Sequence, residues 1–353
     1  MAIPTTYWAA LLLAILTMLC WGSWANTMKL TGSRWRFELY YYDYALGVFL
    51  LALLAAFTLG TLGADITVLD NLTIVRKRQI AYVLMAGAVF NLANMLLVSA
   101  ISVAGMAVAF PIGIGLALVI GVIWSYLIRP QANPYLLFSG AGVVVLAIIV
   151  TAMAYAALQR YRDRLERQKA LAEPAKRKPV LSRPSPVKGV VLSLFAGVLM
   201  GSFYPLVEMG RNDDIEMGPY PIGLVFGAAV LATTFFFNIF FTNLPVQGAP
   251  ISMLHYFRGT ARQHLLGIAG GMMWCAGTIA NFAAASAPKE VQVGPAVAYA
   301  LGQGATLISM LWGLFYWKET AGAPGKITAK FYLTLVLYVV GLVLISIAPL
   351  FAK

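Results

Sequence analysis

The chain has 353 residues, 61% hydrophobic and 11% charged, with a formal net charge of +12. Soluble domains hold about 45–50% apolar and ~25% charged residues, so this composition excludes an ordinary water-soluble globule. The positive charge is read as basic membrane-flanking connections and not as a nucleic-acid surface. The two cysteines, Cys20 and Cys275, both lie in apolar runs, which argues against a disulfide framework or a metal centre.

Ten apolar runs are long enough for the ~20 residues that cross a hydrocarbon core. They lie near residues 7–30, 42–62, 79–100, 104–128, 135–158, 188–208, 220–243, 264–285, 291–317 and 331–350. No strand alternation accompanies them, so the expected fold is an all-α integral membrane protein of ten transmembrane helices. The first run exceeds a signal-peptide core, which predicts a retained span. The third and fourth spans, and the eighth and ninth, are joined by very short turns and should form helical hairpins.

The first span carries Cys20-Trp21-Gly22-Ser23-Trp24-Ala25-Asn26-Thr27-Met28-Lys29, too polar for a lipid-facing helix. Gly22, Asn26 and Lys29 share one helical face. Glu38 and Asp43 open the second span, where carboxylates favour a helix N-terminus. Gly87, Asn91 and Asn94 align on the third span. The fourth has small residues at four-residue spacing, Gly105, Ala109 and Gly113, with Pro111 to loosen the helix. The connection 159–187 is basic and broken by prolines, and Arg160 to Lys169 could prolong the fifth helix as a charged stub. The sixth span brings Phe203, Tyr204 and Glu208; the eighth aligns Trp274, Thr278 and Asn281; the ninth repeats small residues at Gly294, Ala298 and Gly302 and adds Tyr299 and Gln303. The second, fifth and tenth spans have few central polar residues and are expected at the periphery.

The halves resemble each other. Trp21-Gly22-Ser23-Trp24 is matched by Met200-Gly201-Ser202-Phe203. Residues 105–115 align without gaps on 294–304, with glycines, alanines and a valine identical. Each half has an odd number of spans, so the second enters from the opposite side. The domain reading is a first five-helix repeat, 1–158, a cytoplasmic linker, 159–187, and an inverted repeat, 188–353. Five-plus-five inverted repeats permit alternating access to one site. Most Lys and Arg residues fall in connections after odd-numbered spans, which predicts a cytoplasmic linker, outside termini and a plasma (inner) membrane location.

This arrangement resembles the drug/metabolite transporter superfamily. Gly22-Ser23-Trp24, the segment from Arg34 to Gly47 with Tyr42-Asp43-Tyr44, and Phe57-Thr58-Leu59-Gly60 are similar to plant-type ureide permeases. The glycine-rich fourth span and Trp35…Glu38 resemble bacterial glucose- and L-rhamnose-type sugar permeases. Glu319, after Lys318, resembles a glutamate typical of the superfamily. The linker lacks the nucleotide-loop-like motif of some plant ureide permeases. The resemblance implies solute uptake.

The residues themselves point the same way. Amides inside a membrane need partners, either a solute or neighbouring helices. The solute-binding candidates are Trp21, Trp24, Asn26, Asn91, Asn94, Tyr204, Trp274, Asn281, Tyr299 and Gln303. Indole and phenol rings can stack on a sugar's C–H face or on a flat heterocycle, or simply pack the core. Glu208 is the candidate ion-coupling group, near the outer mouth. No His/Asp cluster, activated nucleophile or metal set is legible, which disfavours a membrane enzyme and predicts no cofactor. The expected function is uptake of a small neutral polar solute, coupled to H⁺ or Na⁺, by a monomer or homodimer in the bilayer. A monosaccharide is placed ahead of a ureide or nucleobase on aromatic content.

Overall fold

The computed structural model describes residues 1–32, 35–62, 66–104, 106–172, 186–245, 249–288, 291 and 293–352. The helices are α1 Tyr7–Ser23, α2 Ala25–Leu30, α3 Phe37–Phe57, α4 Val68–Ile74, α5 Lys77–Ala104, α6 Met106–Ile128, α7 Pro134–Ala172, α8 Pro186–Arg211, α9 Pro219–Asn243, α10 Ala261–Ala285, α11 Pro295–Gly302, α12 Ala305–Leu311 and α13 Gly325–Ile347. Among the described residues, nine helical stretches are long and apolar enough to cross a membrane. α6 is apolar over Ile112–Ile128 and completes an all-helical integral membrane bundle.

Local chemistry starts and stops these helices. The Thr6 hydroxyl accepts from the Ala9 N–H and caps α1. Thr260 and Gln263 form a reciprocal capping box on α10. Pro219 and Pro295 open α9 and α11, where a missing N–H costs nothing. Two spans tighten locally. The first keeps helical dihedral angles through Trp24, between α1 and α2, where the Thr27 N–H bonds three residues back. The ninth is broken at Gln303-Gly304, where the Gly304 and Leu307 N–H groups bond three residues back, a tightened turn.

Packing brings sequence-distant helices together. α5 and α6 pack on α8, as α10, α11 and α12 pack on α1. α3 packs on α9 and α10, α9 also on α5, and α7 on α13. α3 lies directly on α10 because glycines meet there. A Cβ on Gly271 would collide with the Tyr44 carbonyl oxygen, and one on Gly47 with that of Ile268.

Three expectations are corrected. The second span lies about one turn earlier than the hydropathy run, because α3 already begins at Phe37, with Arg36 paired to Glu38. It is not peripheral: Tyr40, Tyr41, Asp43 and Tyr44 are buried between α9 and α10. The fifth span is not peripheral throughout, since Thr151 and Tyr155 of α7 line an internal cavity. The charged stub is helical, with α7 running on to Ala172; most of the linker lies outside the described residues.

Candidate functional site

The tightened turn in the first span faces the break in the ninth. The Ser309 hydroxyl of α12 donates to the Gly22 carbonyl at 2.9 Å, and Trp312 Nε1 donates to the Ser23 hydroxyl at 2.9 Å. Trp317 Nε1 donates to Asn26 Oδ1 at 2.6 Å. Beside these turns lies a cavity of about 150 Å³, lined by Trp21, Trp24, Phe90, Asn94, Phe203, Trp274, Gln303 and Ser309 among others. A second cavity of about 250 Å³ shares Trp24, Asn94, Leu97, Thr306 and Ser309 with it and continues past Asn26 to Lys29 and Glu319. Together they reach the lower end of the ~300–1,000 Å³ typical of small-molecule sites.

Ring faces make most of the inner wall. Trp21 and Trp274 stack with planes 8° apart at 5.9 Å, and Trp274 stacks on Phe90 at 4.3 Å. Each ring is held from behind. Trp21 Nε1 donates to the Thr278 hydroxyl at 3.1 Å, and Trp24 packs on Tyr44 at 4.8 Å. Asn94 Nδ2 donates to the Tyr41 phenol oxygen at 3.0 Å, which fixes its amide at the wall shared by both cavities. The Gln303 side-chain amide makes no hydrogen bond to the described residues and lines the cavity at the helix break. This wall offers flat apolar faces, amide groups and hydroxyls, and none of the described residues lining the inner cavity is charged.

Six of the expected site residues therefore meet: Trp21, Trp24, Asn26, Asn94, Trp274 and Gln303. Four sit elsewhere. Asn91 donates to the Thr233 and Thr234 hydroxyls of α9, at 2.9 and 3.0 Å, and joins two helices. Asn281 Nδ2 donates to the Ala298 carbonyl at 2.8 Å. The Tyr299 hydroxyl reaches the Ala117 and Met200 carbonyls at 3.3 Å, and its ring covers Gly121. Tyr204 packs against Tyr299 at 4.9 Å. With Phe203 and Phe282, these buried rings fill the bundle on the side of the cavity away from Lys29.

Glu208, the candidate ion-coupling group, has a partner on its own helix. It is fully buried and ion-paired with Arg211, one turn along α8. Arg211 also donates to the Phe282 carbonyl at 3.3 Å. Lys29 bonds Glu319 at 2.9 Å and lies 5.2 Å over the Trp317 ring. Tyr155 donates to the other Glu319 oxygen at 3.2 Å. Phe90, Thr306 and Ser309 were not singled out by the sequence, since a lone Phe or hydroxyl in an apolar run carries no spacing signal.

A protein-family model described as "Ureide permease" matches residues 40–181, from α3 into the linker. Ureide permease 1 of Arabidopsis thaliana is 24% identical over 383 residues, covering 94% of this chain and 94% of the relative. Ureide permease 4 of the same plant is 23% identical over 367 residues, covering 86% and 88%. A crystal structure superposes on 95% of this chain and 97% of its own with a TM-score of 0.60 at 16% identity, which shows a shared fold.

Proposed function

We propose that the chain is a permease for a small, flat, neutral solute rich in amide groups, of the ureide or nucleobase type. The observation that carries this reading is the inner cavity, where stacked indoles meet an unbonded amide, Gln303, beside two tightened helix turns. Stacked rings suit a planar heterocycle, and amides pair with its carbonyl and N–H groups. The relatives, all named ureide permeases, support this solute class over the monosaccharide expected from aromatic content alone.

In this reading the two halves, 1–158 and 188–353, rock against each other. The reciprocal packing of α5 and α6 on α8 and of α10 to α12 on α1 supports an inverted repeat. With the linker in the cytoplasm, the cavity runs toward the cytoplasmic face at Lys29 and Glu319. The Glu208–Arg211 pair and the rings around Tyr204 close the opposite side.

Counterflow in liposomes holding the purified chain tests the proposal. Labelled allantoin or uracil should exchange, glucose should not, and the exchanged solute should raise the thermal midpoint. Saturating solute at about 100 Kd stabilises a binder by ~2.7 kcal/mol. Exchange of glucose without allantoin or uracil would overturn the solute class, and exchange of none would overturn the permease reading.

A further inference from the structure

Asp43 is buried in the second turn of α3. Its two oxygens are taken by groups from the second half of the chain. Oδ2 lies 2.8 Å from Nδ1 of His264, at the start of α10, and Oδ1 accepts from the Tyr256 hydroxyl at 2.6 Å. Tyr256 belongs to the short 3₁₀ turn Met253–Arg258 that precedes α10. Trp35 stands edge-on to the imidazole at 5.5 Å. The other imidazole nitrogen, Nε2, lies against Gly259, and the side chain is 25% exposed. Water therefore reaches the ring, while the carboxylate behind it is sealed.

Among the described residues, the neighbouring charges are engaged elsewhere. On α3, Glu38 is paired with Arg36. Tyr40 shares a hydrogen bond with the Thr27 hydroxyl at 2.7 Å, and Tyr42 packs on Tyr256. On α2, Lys29 is held by Glu319. Among the described residues, His255 and Arg258 on the 3₁₀ turn and Arg262 at the start of α10 are the other charged or titratable groups of these two segments, and none bonds Asp43. Glu208, by contrast, faces a guanidinium that stays charged at any working pH. Asp43 faces an imidazole, which can hold a proton on either or both ring nitrogens.

The pair is also wired to the cavity. Tyr44, the next residue on α3, packs on Trp24 and stands 6.4 Å from Trp274. Tyr41 holds Asn94. Gly267 packs on Asp43 itself, so α3 and α10 meet without intervening side chains. A change in the attraction between Asp43 and His264 acts on this crossing directly.

We propose that Asp43 and His264 form the proton-binding site that couples solute movement to proton movement; this rests on the permease reading above. His264 takes one proton at Nε2 from the water on its side, keeping Nδ1–H on Asp43. The neutral-imidazole pair becomes an imidazolium–carboxylate pair, which draws α3 and α10 together; release of that proton to the water of the opposite face, once the halves have rocked, reverses the attraction and completes the proton's transfer. Tyr256 is a positioning residue that holds the carboxylate in place.

The test uses the full chain in liposomes with labelled allantoin. His264→Gln should keep counterflow within about twofold of the parent and lose accumulation driven by an imposed pH gradient at least tenfold. Tyr256→Phe, a milder change, should keep both activities and shift the pH dependence of accumulation. Undiminished gradient-driven accumulation in His264→Gln would overturn the proposal, as would equal loss of counterflow and accumulation in a variant that folds. A second readout is independent of transport. A protonated imidazole beside an indole quenches it, so the parent should show a fluorescence step with pH that both His264→Gln and Trp35→Phe remove. A step that survives in His264→Gln would also overturn the site. If the parent shows no counterflow, the permease reading falls, and the fluorescence titration still decides whether His264 binds the proton.

Discussion

Gln303 and Asn91 are both buried amides on membrane helices, and the structure gives them different work. Gln303 makes no hydrogen bond to the described protein and lines the inner cavity; Asn91 spends its Nδ2 on two hydroxyls of α9. Gln303→Ala is therefore expected to leave the thermal midpoint of the empty protein unchanged and to weaken solute binding by about 3–10-fold, the loss of one neutral hydrogen bond worth ~0.5–1.5 kcal/mol. Asn91→Ala should do the reverse: solute affinity holds, and stability falls by about 0.6–1.7 kcal/mol, the range of interhelical hydrogen bonds in membranes. Thermal shifts with and without allantoin check both. In sequence the two amides look alike, because helical spacing reveals a shared face and not what stands opposite it. Asp43 shows the same limit. As a carboxylate near a helix start it reads as a helix-end charge, and only the return of His264 and Tyr256 from over 200 positions away makes it a buried paired group.

Among the helices, the crossing of α3 and α10 brings Tyr44 against Trp24 of the cavity wall and Asp43 to His264. It depends on glycine. Gly271→Ala would push a methyl group into the Tyr44 carbonyl, and neither backbone can withdraw without parting the helices. Overpacking of this kind costs about 1–3 kcal/mol or more, so a reduced folded yield and a lower thermal midpoint are expected. Gly142→Ala on α7 is the matched control: its Cβ would meet nothing within 4 Å, and the change should be neutral or stabilising by up to about 1 kcal/mol. Size-exclusion yield and thermal unfolding in detergent separate the two. The glycines are plain in the sequence, but four-residue spacing marks the stripes of the fourth and ninth spans and not this crossing. Which stripe a backbone actually crosses depends on the partner helix. The tightened turns were equally hidden. Trp24 and Gln303 have ordinary helical dihedral angles, so no proline or left-handed residue announced them.

The bundle as a whole is asymmetric from one end to the other. At the end holding Glu208, charges tie the 212–217 connection across the molecule: Arg76 bonds Asp213 at 2.9 Å and Asp214 at 2.5 Å, and Arg129 pairs with Glu216. Asn71 adds hydrogen bonds to the Glu216 carbonyl and the Gly218 N–H. At the other end the cavity extends to Lys29 and Glu319. Exposed ion pairs are worth about 0–1 kcal/mol each, weak enough to be made and broken in a transport cycle. Reversing one of them, Glu216→Arg against Arg129, should loosen this end. With Cys20 and Cys275 removed, Met200→Cys at the cavity should react with a membrane-impermeant thiol reagent from the Lys29 side alone. Adding Glu216→Arg should create labelling from the opposite side. Unchanged sidedness would show that these charges do not hold the end closed.

The class of the protein was determined by the chain alone, because apolar runs of bilayer length admit no other solution: backbone polar groups in lipid must be satisfied within a helix. The same holds for the polar stretch at Trp21 to Asn26, since amides and indole N–H groups inside a membrane require partners wherever the helices go. What only the tertiary structure decided was which groups face a cavity and which face each other. Trp21, Trp24, Asn26, Asn94, Trp274 and Gln303 converge, while Asn91, Asn281, Tyr204 and Tyr299 bond or pack against neighbouring helices. Asp43 meets His264 across two helices, whereas the Glu208–Arg211 pair follows from helical spacing on α8 alone. The reason is physical. Hydropathy and helical spacing are properties of one segment, whereas a cavity, an ion pair between helices or a proton site is set by the angle and depth at which two segments cross.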